Sequence, residues 1–137
     1  MPAPLEGIKV VEIANYVAVP AAGTLLRDLG ADVVKVEVPW GDFYRFATPR
    51  RNGYDSDFPI SSNYEMDNRG KRSLALDLAL PQSVSALAKV IEGVDIVITN
   101  TLPGRLPKYG LDPETLLAKR PDLIVARLGG FSSDADQ

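Results

Sequence analysis

The stretch IKVVEIANYVAVPAAGTLLRDLGADVVKVE, from Ile8 to Glu37, decides the fold. Its first residues, Ile8 to Ile13, are mostly β-branched and apolar, which is typical of a buried strand. After a turn, Pro20 stands where proline favours the start of a helix. The apolar residues that follow recur at helical spacing and form one face of that helix. They are Ala22, Leu25, Leu26 and Leu29.

The same stretch ends in a second strand. Gly30 stands where a helix ends in the left-handed conformation, and the β-branched run from Val33 to Val36 follows it. Strand, helix and strand together predict a right-handed unit with parallel strands. Ligands of such sheets bind beyond the carboxyl ends of the strands. The turn from Ala14 to Ala18 and the segment after Glu37 are therefore the first places to look for a site.

The rest of the chain continues the alternation of strand and helix. Three further strands are predicted at Lys71–Leu78, Asp95–Thr99 and Leu123–Leu128. A helix begins at Pro81 and ends at Gly93, and another begins at the N-cap Asp112. This order predicts an α/β fold with a Rossmann-like, doubly wound, mainly parallel sheet. The sequence ends nine residues after the last predicted strand, and we expect a truncated or split protein of this class.

The bulk composition is that of an ordinary globular protein. The chain has 137 residues, of which 45% are hydrophobic and 24% charged, which is enough for one domain. The net charge of -3 gives a nucleic-acid partner no electrostatic support. No apolar run approaches the roughly 20 residues of a membrane span, and the first residues lack the pattern of a signal peptide. We expect a cytoplasmic protein without nucleic-acid or membrane partners.

The sequence contains no cysteine and no histidine. Disulfides, thiolate zinc sites, cysteine nucleophiles and the Ser-His-Asp triad are therefore excluded, and we expect no metal site. Acid-base or nucleophilic chemistry within this chain would depend on Asp, Glu, Lys, Tyr or Ser. A carboxylate nucleophile remains possible.

The aromatic segment, Pro39 to Gly70, shows no sustained periodicity. It carries seven aromatic residues, a density that argues against plain disorder. A loop of this length without secondary structure is unusual in a compact domain. Two explanations stay open: the segment is a functional flap, or it packs on a surface that is not part of this chain.

Two features near the first helix have alternative interpretations. The first turn lacks the G-x-G-x-x-G pattern of dinucleotide-binding folds. Its small residues, Ala18 and Ala21 to Gly23, either let a ligand approach the helix N-terminus or only allow close packing of helix on sheet, and their spacing favours packing. Glu37 ends the second strand near where an acidic residue holds a ribose in Rossmann folds. Without the glycine fingerprint, a solvated strand-end acid is the better interpretation.

Two later segments carry positive charge. Arg69 to Arg72 is a compact basic cluster that suits phosphates, but its composition favours a plain exposed charge cluster. The turn from Asn100 to Lys108 follows a buried strand and mixes backbone donors with Arg105 and Lys108. On geometry it is the better place for an anionic ligand, with an incidental Pro-Gly turn as the alternative. Asp77 has no structural assignment.

Several motifs, in this order and spacing, resemble the family III CoA-transferases, the CaiB/BaiF group that also contains α-methylacyl-CoA racemases. The resemblance covers nearly the whole chain, from Pro4 to Phe131. The motifs are P-L-E-G-I-K-V-V-E at Pro4–Glu12, L-G-A-D-V-V-K-V-E at Leu29–Glu37, G-D at Gly41–Asp42, N-R-G-K-R-S-L-A-L-D-L at Asn68–Leu78, N-x-x-P-G at Asn100–Gly104 and R-P-D-L-I-V-A-R-L-x-G-F at Arg120–Phe131.

This resemblance implies that residues 1–137 are the N-terminal part of a large CoA-binding Rossmann-like domain, without a second domain in this chain. It implies coenzyme A, bound as an acyl-CoA thioester, a carboxylic acid as second substrate, and an interlocked homodimer or completion by a second segment. In such enzymes an aspartate attacks the acyl-CoA, which gives a mixed anhydride and then an aspartyl-CoA thioester. The racemase branch moves the α-proton with acid-base residues instead.

The resemblance also implies positions for the ligand. Val17 and Ala18 would lie along the pantetheine, and Leu76 and Asp77 would flank the adenine. The turn formed by Asn100, Thr101 and Leu102 would contact CoA, and Lys108 would meet a CoA phosphate. In departure from the family pattern, Val38 and Ala79 stand where many members have basic residues. Asn15 and Val17 differ from the polar pair near the acyl group, which leaves the acyl preference open.

No catalytic residue is assigned within the chain. The family's catalytic aspartate follows the last strand, and Asp134 and Asp136 come too early in the motif for that role. The racemase histidine is absent as well. We therefore expect the 137-residue chain to be inactive alone. Three functions stay open: part of a CoA-transferase, part of a CoA-dependent racemase, or a CoA-binding or assembly module without chemistry of its own.

Overall fold

A computed structural model describes residues 1–47 and 61–130. Its centre is a five-stranded, all-parallel sheet with the strand order β3-β2-β1-β4-β5. The strands are β1 (Lys9–Ile13), β2 (Asp32–Glu37), β3 (Arg72–Ala75), β4 (Ile96–Thr99) and β5 (Ile124–Arg127). The predicted α/β class with a doubly wound, parallel sheet is confirmed.

Four α-helices connect or flank these strands: α1 (Ala18–Asp28), α2 (Ser62–Asn68), α3 (Pro81–Glu92) and α4 (Pro113–Lys119). Short 3₁₀ helices lie at Phe43–Phe46, Pro103–Arg105 and Pro107–Tyr109. Helix α1 begins two residues before the predicted start, so that Pro20 lies in its first turn. None of the helices in residues 1–47 and 61–130 is long and apolar enough to cross a membrane.

The sheet separates two apolar layers because side chains of β1 alternate between its faces. Val10 and Ala14 belong to the layer under α1, whereas Val11 and Ile13 belong to the layer that Leu87 of α3 helps to fill. Fully burying an aliphatic side chain of this size contributes about 1.5–3 kcal/mol. The strand order places the carboxyl ends of β3, β2, β1, β4 and β5 side by side along one edge of the sheet.

The prediction of an aperiodic aromatic segment was wrong for its described parts. The segment contains the 3₁₀ helix Phe43–Phe46 and helix α2. Ser61 caps α2 by accepting a hydrogen bond from the Tyr64 N–H at 3.3 Å. The two explanations for this segment stay open, because residues 48–60, with two of its aromatics, lie outside the described residues. Asp134 and Asp136 also lie outside them.

Strand β3 is shorter than predicted. It covers Arg72–Ala75, whereas the alternation of leucines indicated a strand up to Leu78. After Ala75 the Leu76 N–H still donates to the Glu37 carbonyl at 2.8 Å, and the leucines at 74, 76 and 78 pack against the layer under α3. The pattern therefore identified the partly buried, inward-facing side chains correctly and only overestimated the hydrogen-bonded length.

Candidate functional site

A cleft of about 420 Å³ opens at the carboxyl edge of the sheet. Each of the first four strands contributes the residues at or just after its end. The lining comprises residues 13–15 from β1, residues 36–38 and Trp40 from β2, residues 76–79 after β3, and residues 100–102 after β4, together with Arg105 and Tyr109 from the two 3₁₀ helices. This is the edge at which open parallel sheets bind their ligands.

The turns after β1 and β4 are fastened to each other. The Asn15 N–H donates to Asn100 Oδ1 at 3.1 Å, and Asn100 Nδ2 donates back to the Asn15 carbonyl at 2.8 Å. One residue earlier, the Thr99 hydroxyl donates to the Ile13 carbonyl at 2.6 Å and accepts from the Thr101 N–H at 3.0 Å. These bonds hold the ends of β1 and β4 together beside the cleft.

Five of the eight ligand residues inferred from the sequence line this cleft: Leu76, Asp77, Asn100, Thr101 and Leu102. The other three belong to the described chain but lie outside the lining. Val17 precedes α1, Ala18 is its first residue, and Lys108 is exposed on the 3₁₀ helix Pro107–Tyr109. The roles of all eight residues in ligand binding remain predictions.

Two lining side chains, Trp40 and Tyr109, have no individual role in the sequence motifs, whereas Arg105 belongs to the turn that the sequence singled out for an anionic ligand. Trp40 forms part of one wall, and Arg105 and Tyr109 form part of another. Arg105 and Tyr109 lie on consecutive one-turn helices, which Pro103 and Pro107 begin. In the sequence, the Pro-Gly-Arg and Pro-Lys-Tyr triplets were the available signal for these two short helices, since proline favours the first position of a helix.

The interpretation of Glu37 as a solvated acid was wrong. Only 5% of Glu37 is exposed. Its carboxylate accepts two hydrogen bonds from Arg45, at 2.8 and 2.7 Å, and one from the Tyr64 hydroxyl at 3.0 Å. It also accepts from the Asp42 N–H at 3.0 Å and the Ser73 hydroxyl at 3.2 Å. Glu37 is thus the centre of a network that joins β2, β3, α2 and the 3₁₀ helix Phe43–Phe46.

This network changes the acidity of its members. Burial raises the pKa of Glu37, but the hydrogen bonds and charge of Arg45, together with bonds from Asp42 and Tyr64, outweigh burial and lower that pKa to about 2. The pKa of Tyr64 is raised by burial and by the neighbouring Glu37 charge. Glu37 is therefore a permanently charged anchor at neutral pH, and it holds no proton to exchange with a ligand.

A second charged cluster lies beneath the first turn. Lys35 donates to Glu12 Oε1 at 3.0 Å, and its ammonium lies 3.1 Å from Asp42 Oδ2. Lys71 donates to the other Glu12 oxygen at 2.7 Å. Glu12, Lys35 and Asp42 are fully buried or nearly so. Gly23 of α1 lies directly over Glu12, where an added Cβ would approach Oε2 to 2.1 Å, so the close-packing interpretation of the small residues accounts for Gly23.

The basic cluster Arg69 to Arg72 does not form an anion site. The Lys71 side chain is only 2% exposed and is bonded to Glu12 and to carbonyl oxygens of Pro20 and Asp67. Arg69 pairs with Asp28, and Arg72 pairs with Asp32 at 2.6 Å. The favoured interpretation as an exposed cluster was thus wrong for Lys71, although it holds for the two arginines.

In residues 1–47 and 61–130 no group of three or more Asp or Glu side chains is arranged to hold a metal ion. The acids near the cleft are engaged elsewhere, since Glu37 and Asp42 belong to the networks above. Asp77, which lines the cleft, accepts a hydrogen bond from the Ala79 N–H at 3.0 Å. The cleft is thus suited to binding through backbone groups, amides and Arg105.

A family model described as CoA-transferase family III matches residues 5–137. Because the match extends over almost the entire sequence, the chain belongs to CoA-transferase family III. The resemblance inferred from the motifs is confirmed.

Individual relatives bear this out. The succinate–glutarate CoA-transferase of Agrobacterium fabrum is 40% identical over 130 residues, which are 93% of this chain and 32% of that protein. The cinnamoyl-CoA:phenyllactate CoA-transferase of Clostridium sporogenes is 37% identical over 126 residues, or 92% of this chain and 30% of that protein. The crystal structure of a CaiB/BaiF family protein from Brucella suis superposes with a TM-score of 0.84 at 40% identity, over 96% of this chain and 34% of that one. The chain thus spans about a third of the length of these relatives.

Proposed function

We propose that this chain is the N-terminal part of the large CoA-binding domain of an enzyme that moves CoA from an acyl-CoA thioester to a carboxylic acid. Family membership supports CoA transfer in general, and the names of its relatives favour transfer over racemisation. The observation that carries the proposal is the cleft, which combines apolar walls, the Asn100 amide and the Arg105 guanidinium at the carboxyl edge of the sheet. A thioester of CoA needs these three kinds of contact, for its adenine, its pantetheine amides and its phosphates.

In the proposed complex the adenine lies against the segment from Leu76 to Ala79, and the pantetheine follows the turn from Asn15 to Ala18. The phosphates lie near Arg105 and Lys108, on the two consecutive 3₁₀ helices. Because Ala79 leaves the adenine side without a basic residue, Arg105 supplies the positive charge that is missing there. The turn from Asn100 to Leu102 lies between the adenine and pantetheine sites.

The chemistry proposed for the complete enzyme uses an aspartate outside these 137 residues. That carboxylate attacks the acyl-CoA carbonyl and expels CoA thiolate, which gives an aspartyl anhydride. The thiolate then attacks the aspartyl carbonyl and releases the acyl group as a free carboxylate, which gives the aspartyl-CoA thioester. Among the described residues, Glu12 and Asp42 are sequestered in ion pairs with Lys35, which fits a binding role for this part. We propose that the chain alone is inactive, and that a second copy or a second segment in the cytoplasm completes the active site.

Calorimetric titration of the purified chain with CoA, together with its mass in solution, tests the binding part of this proposal. We expect micromolar binding. Arg105→Ala should raise the Kd by about ten- to a hundredfold, since a hydrogen bond to a charged group contributes roughly 1.5–3 kcal/mol. Lys108→Ala should weaken binding less, because Lys108 lies outside the cleft lining.

Lys89→Ala provides the matched control, because Lys89 is exposed on α3 and is not part of the cleft lining. It removes one positive charge and should leave the Kd unchanged. A folded chain that does not bind CoA would refute the proposed half-site. Binding that falls equally in all three variants would show a general charge effect rather than a site.

A further inference from the structure

The turn between β1 and α1 contains a strained residue. Tyr16 has a φ of 65°, and among the described residues it is the single non-glycine with positive φ. An aromatic residue adopts this left-handed conformation only when its surroundings impose it. The cause of this conformation therefore lies in the contacts that the Tyr16 backbone makes with its neighbours.

The Tyr16 backbone is held by Asp42. Asp42 Oδ1 accepts hydrogen bonds from the Tyr16 N–H at 3.3 Å and from the Tyr44 N–H at 2.9 Å. Its other oxygen, Oδ2, lies 3.1 Å from the Lys35 ammonium, in a contact that is ionic rather than a directed hydrogen bond. Asp42 has no solvent exposure, so its position is fixed by these partners and not by water.

Lys35 holds the other side of the same turn. Its ammonium donates to the Ala14 carbonyl at 2.9 Å and to Glu12 at 3.0 Å. The Lys35–Asp42 pair therefore grips the backbone two residues apart, at Ala14 and at Tyr16. The residue between them, Asn15, is held by Asn100 across the cleft wall. Three consecutive residues of the turn are thus anchored, the outer two by buried charges.

We propose that Lys35 and Asp42 are positioning residues that preset this turn for the pantetheine arm of CoA. The inference rests on the proposed function. The pantetheine arm carries amides and no charge, so it depends on backbone N–H and C=O groups that already have the right direction. A preset turn avoids the entropy cost of ordering those groups at the moment of binding. The nucleotide end of CoA depends on side chains such as Arg105 and is indifferent to this turn.

Lys71 offers an internal comparison. It is a buried ammonium on the same carboxylate, Glu12. Its other acceptors are the Pro20 and Asp67 carbonyls and the Asn68 amide oxygen, which belong to α1 and α2 and not to the turn. Removing Lys35 or Lys71 therefore breaks a comparable buried contact with Glu12, but of these two lysines Lys35 alone also bonds to the turn.

The experiment compares Asp42→Asn, Lys35→Met and Lys71→Met in the 137-residue chain, at a temperature where circular dichroism shows each to be folded. Calorimetry measures the Kd for CoA and for adenosine 3′,5′-bisphosphate, and NMR measures exchange of the Tyr16 amide. For Asp42→Asn and Lys35→Met we expect the CoA Kd to rise about tenfold while that for the bisphosphate is unchanged. The Tyr16 amide should exchange faster in Asp42→Asn. Lys71→Met should change neither Kd nor the Tyr16 amide.

A second substitution keeps the test open if Asp42→Asn folds poorly. Tyr16→Asn places a residue that tolerates the left-handed conformation in the turn, and combining it with Asp42→Asn should restore part of the CoA affinity. If the affinities for CoA and for the bisphosphate fall equally in all three single variants, the positioning role is overturned. It is also overturned if the Tyr16 amide exchanges freely while the affinity for CoA is unchanged. If the wild-type chain binds no CoA, the proposed function fails separately. In that case a Tyr16 amide that stays protected in Asp42→Asn overturns the positioning role, and one that loses protection supports the Asp42 tether.

Discussion

Glu37→Gln tests most directly whether the charge of the buried Glu37 carboxylate stabilises the fold. It replaces a carboxylate by an amide of nearly the same shape and removes the negative charge that Arg45 and Tyr64 enclose. Since the pKa of Glu37 is about 2 in the folded chain against an ordinary value of 4.5, the charged form is strongly favoured by folding. The substitution therefore removes a contribution that depends on pH.

The magnitude follows from linkage. A pKa lowered from 4.5 to about 2 corresponds to about 3 kcal/mol of stabilisation. Water screens the partner, because the Arg45 side chain is 37% exposed, and we therefore expect a loss of about 2 kcal/mol for Glu37→Gln at neutral pH. A carboxylate whose pKa is lower in the folded chain than in the unfolded chain stabilises the fold at pH values above its unfolded pKa. The contribution of Glu37 is therefore complete above about pH 5 and disappears progressively as the pH falls toward 2.

The assay is urea denaturation followed by far-ultraviolet circular dichroism, at a series of pH values between 7 and 3. The difference in unfolding free energy between wild type and Glu37→Gln should shrink steadily as the pH falls, because the wild-type carboxylate becomes protonated. Asp122→Asn is the matched control. The Arg120 partner also lowers the pKa of Asp122 to about 2, but Asp122 lies on the surface, so its removal should cost little.

Two results would contradict this reasoning. A difference that stays constant from pH 7 to pH 3 would mean that Glu37→Gln acts through shape or hydrogen-bond number and not through charge. An equal loss in Glu37→Gln and Asp122→Asn would mean that burial does not distinguish the two carboxylates.

Two further substitutions test how α1 and α2 pack on the sheet. Gly23→Ala should lower the free energy of unfolding by about 2 kcal/mol, because the added Cβ would meet Glu12 Oε2. Gly104→Ala is the control: a Cβ there has no neighbour within 4 Å, so the free energy of unfolding should change by less than about 0.5 kcal/mol. Lys71→Met should cost roughly 3 kcal/mol, since it breaks a buried ion pair from one side. Urea titration at pH 7 measures both, and a loss below about 1 kcal/mol for either Gly23→Ala or Lys71→Met would contradict the packing described here.

The order of strands and helices was readable from sequence because the signals are local. The β-branched run in β1, proline at the start of α3 and the Asp112 cap of α4 each act within a few residues. The Asp112 side chain accepts the Thr115 N–H as the pattern predicts. These local signals, combined with the right-handed crossover rule, were enough to place the carboxyl edge and hence the cleft.

Helix α2 was missed because its buried face is polar. Its buried residues are Tyr64, Asp67 and Asn68, so no apolar period marks the helix. Asn68 and Tyr64 are bonded within the helix, and the Asp67 carbonyl accepts from Lys71. The Ser61 cap was the available local signal, and by itself it indicates only a possible helix start.

Glu37 and Lys71 were misread for a related reason. The side chains bonded to the Glu37 carboxylate lie between 8 and 36 residues away in sequence, and Lys71 lies 59 residues from Glu12. Composition within a short window gives the charge of a residue but not the partner that neutralises it. Burial of a charge therefore becomes visible only when the fold brings its partners together.

The distribution of buried charge follows the direction of the strands. On the face toward α1 and α2, β1 presents Val10 and then Glu12, and β2 presents Val33, Lys35 and Glu37. On the opposite face both strands begin with an exposed charged residue, Lys9 or Asp32, and are apolar from there to their carboxyl ends. Apolar side chains of similar volume would often stabilise such positions as well as or better than buried ion pairs, so stability alone does not explain the charges. They lie at the carboxyl end, where strand pairing stops and backbone direction is no longer set by the sheet. There the charges bond to the backbone of the turns beside the cleft, a directed contact that an apolar core would not provide, and this is the basis of the positioning role proposed above.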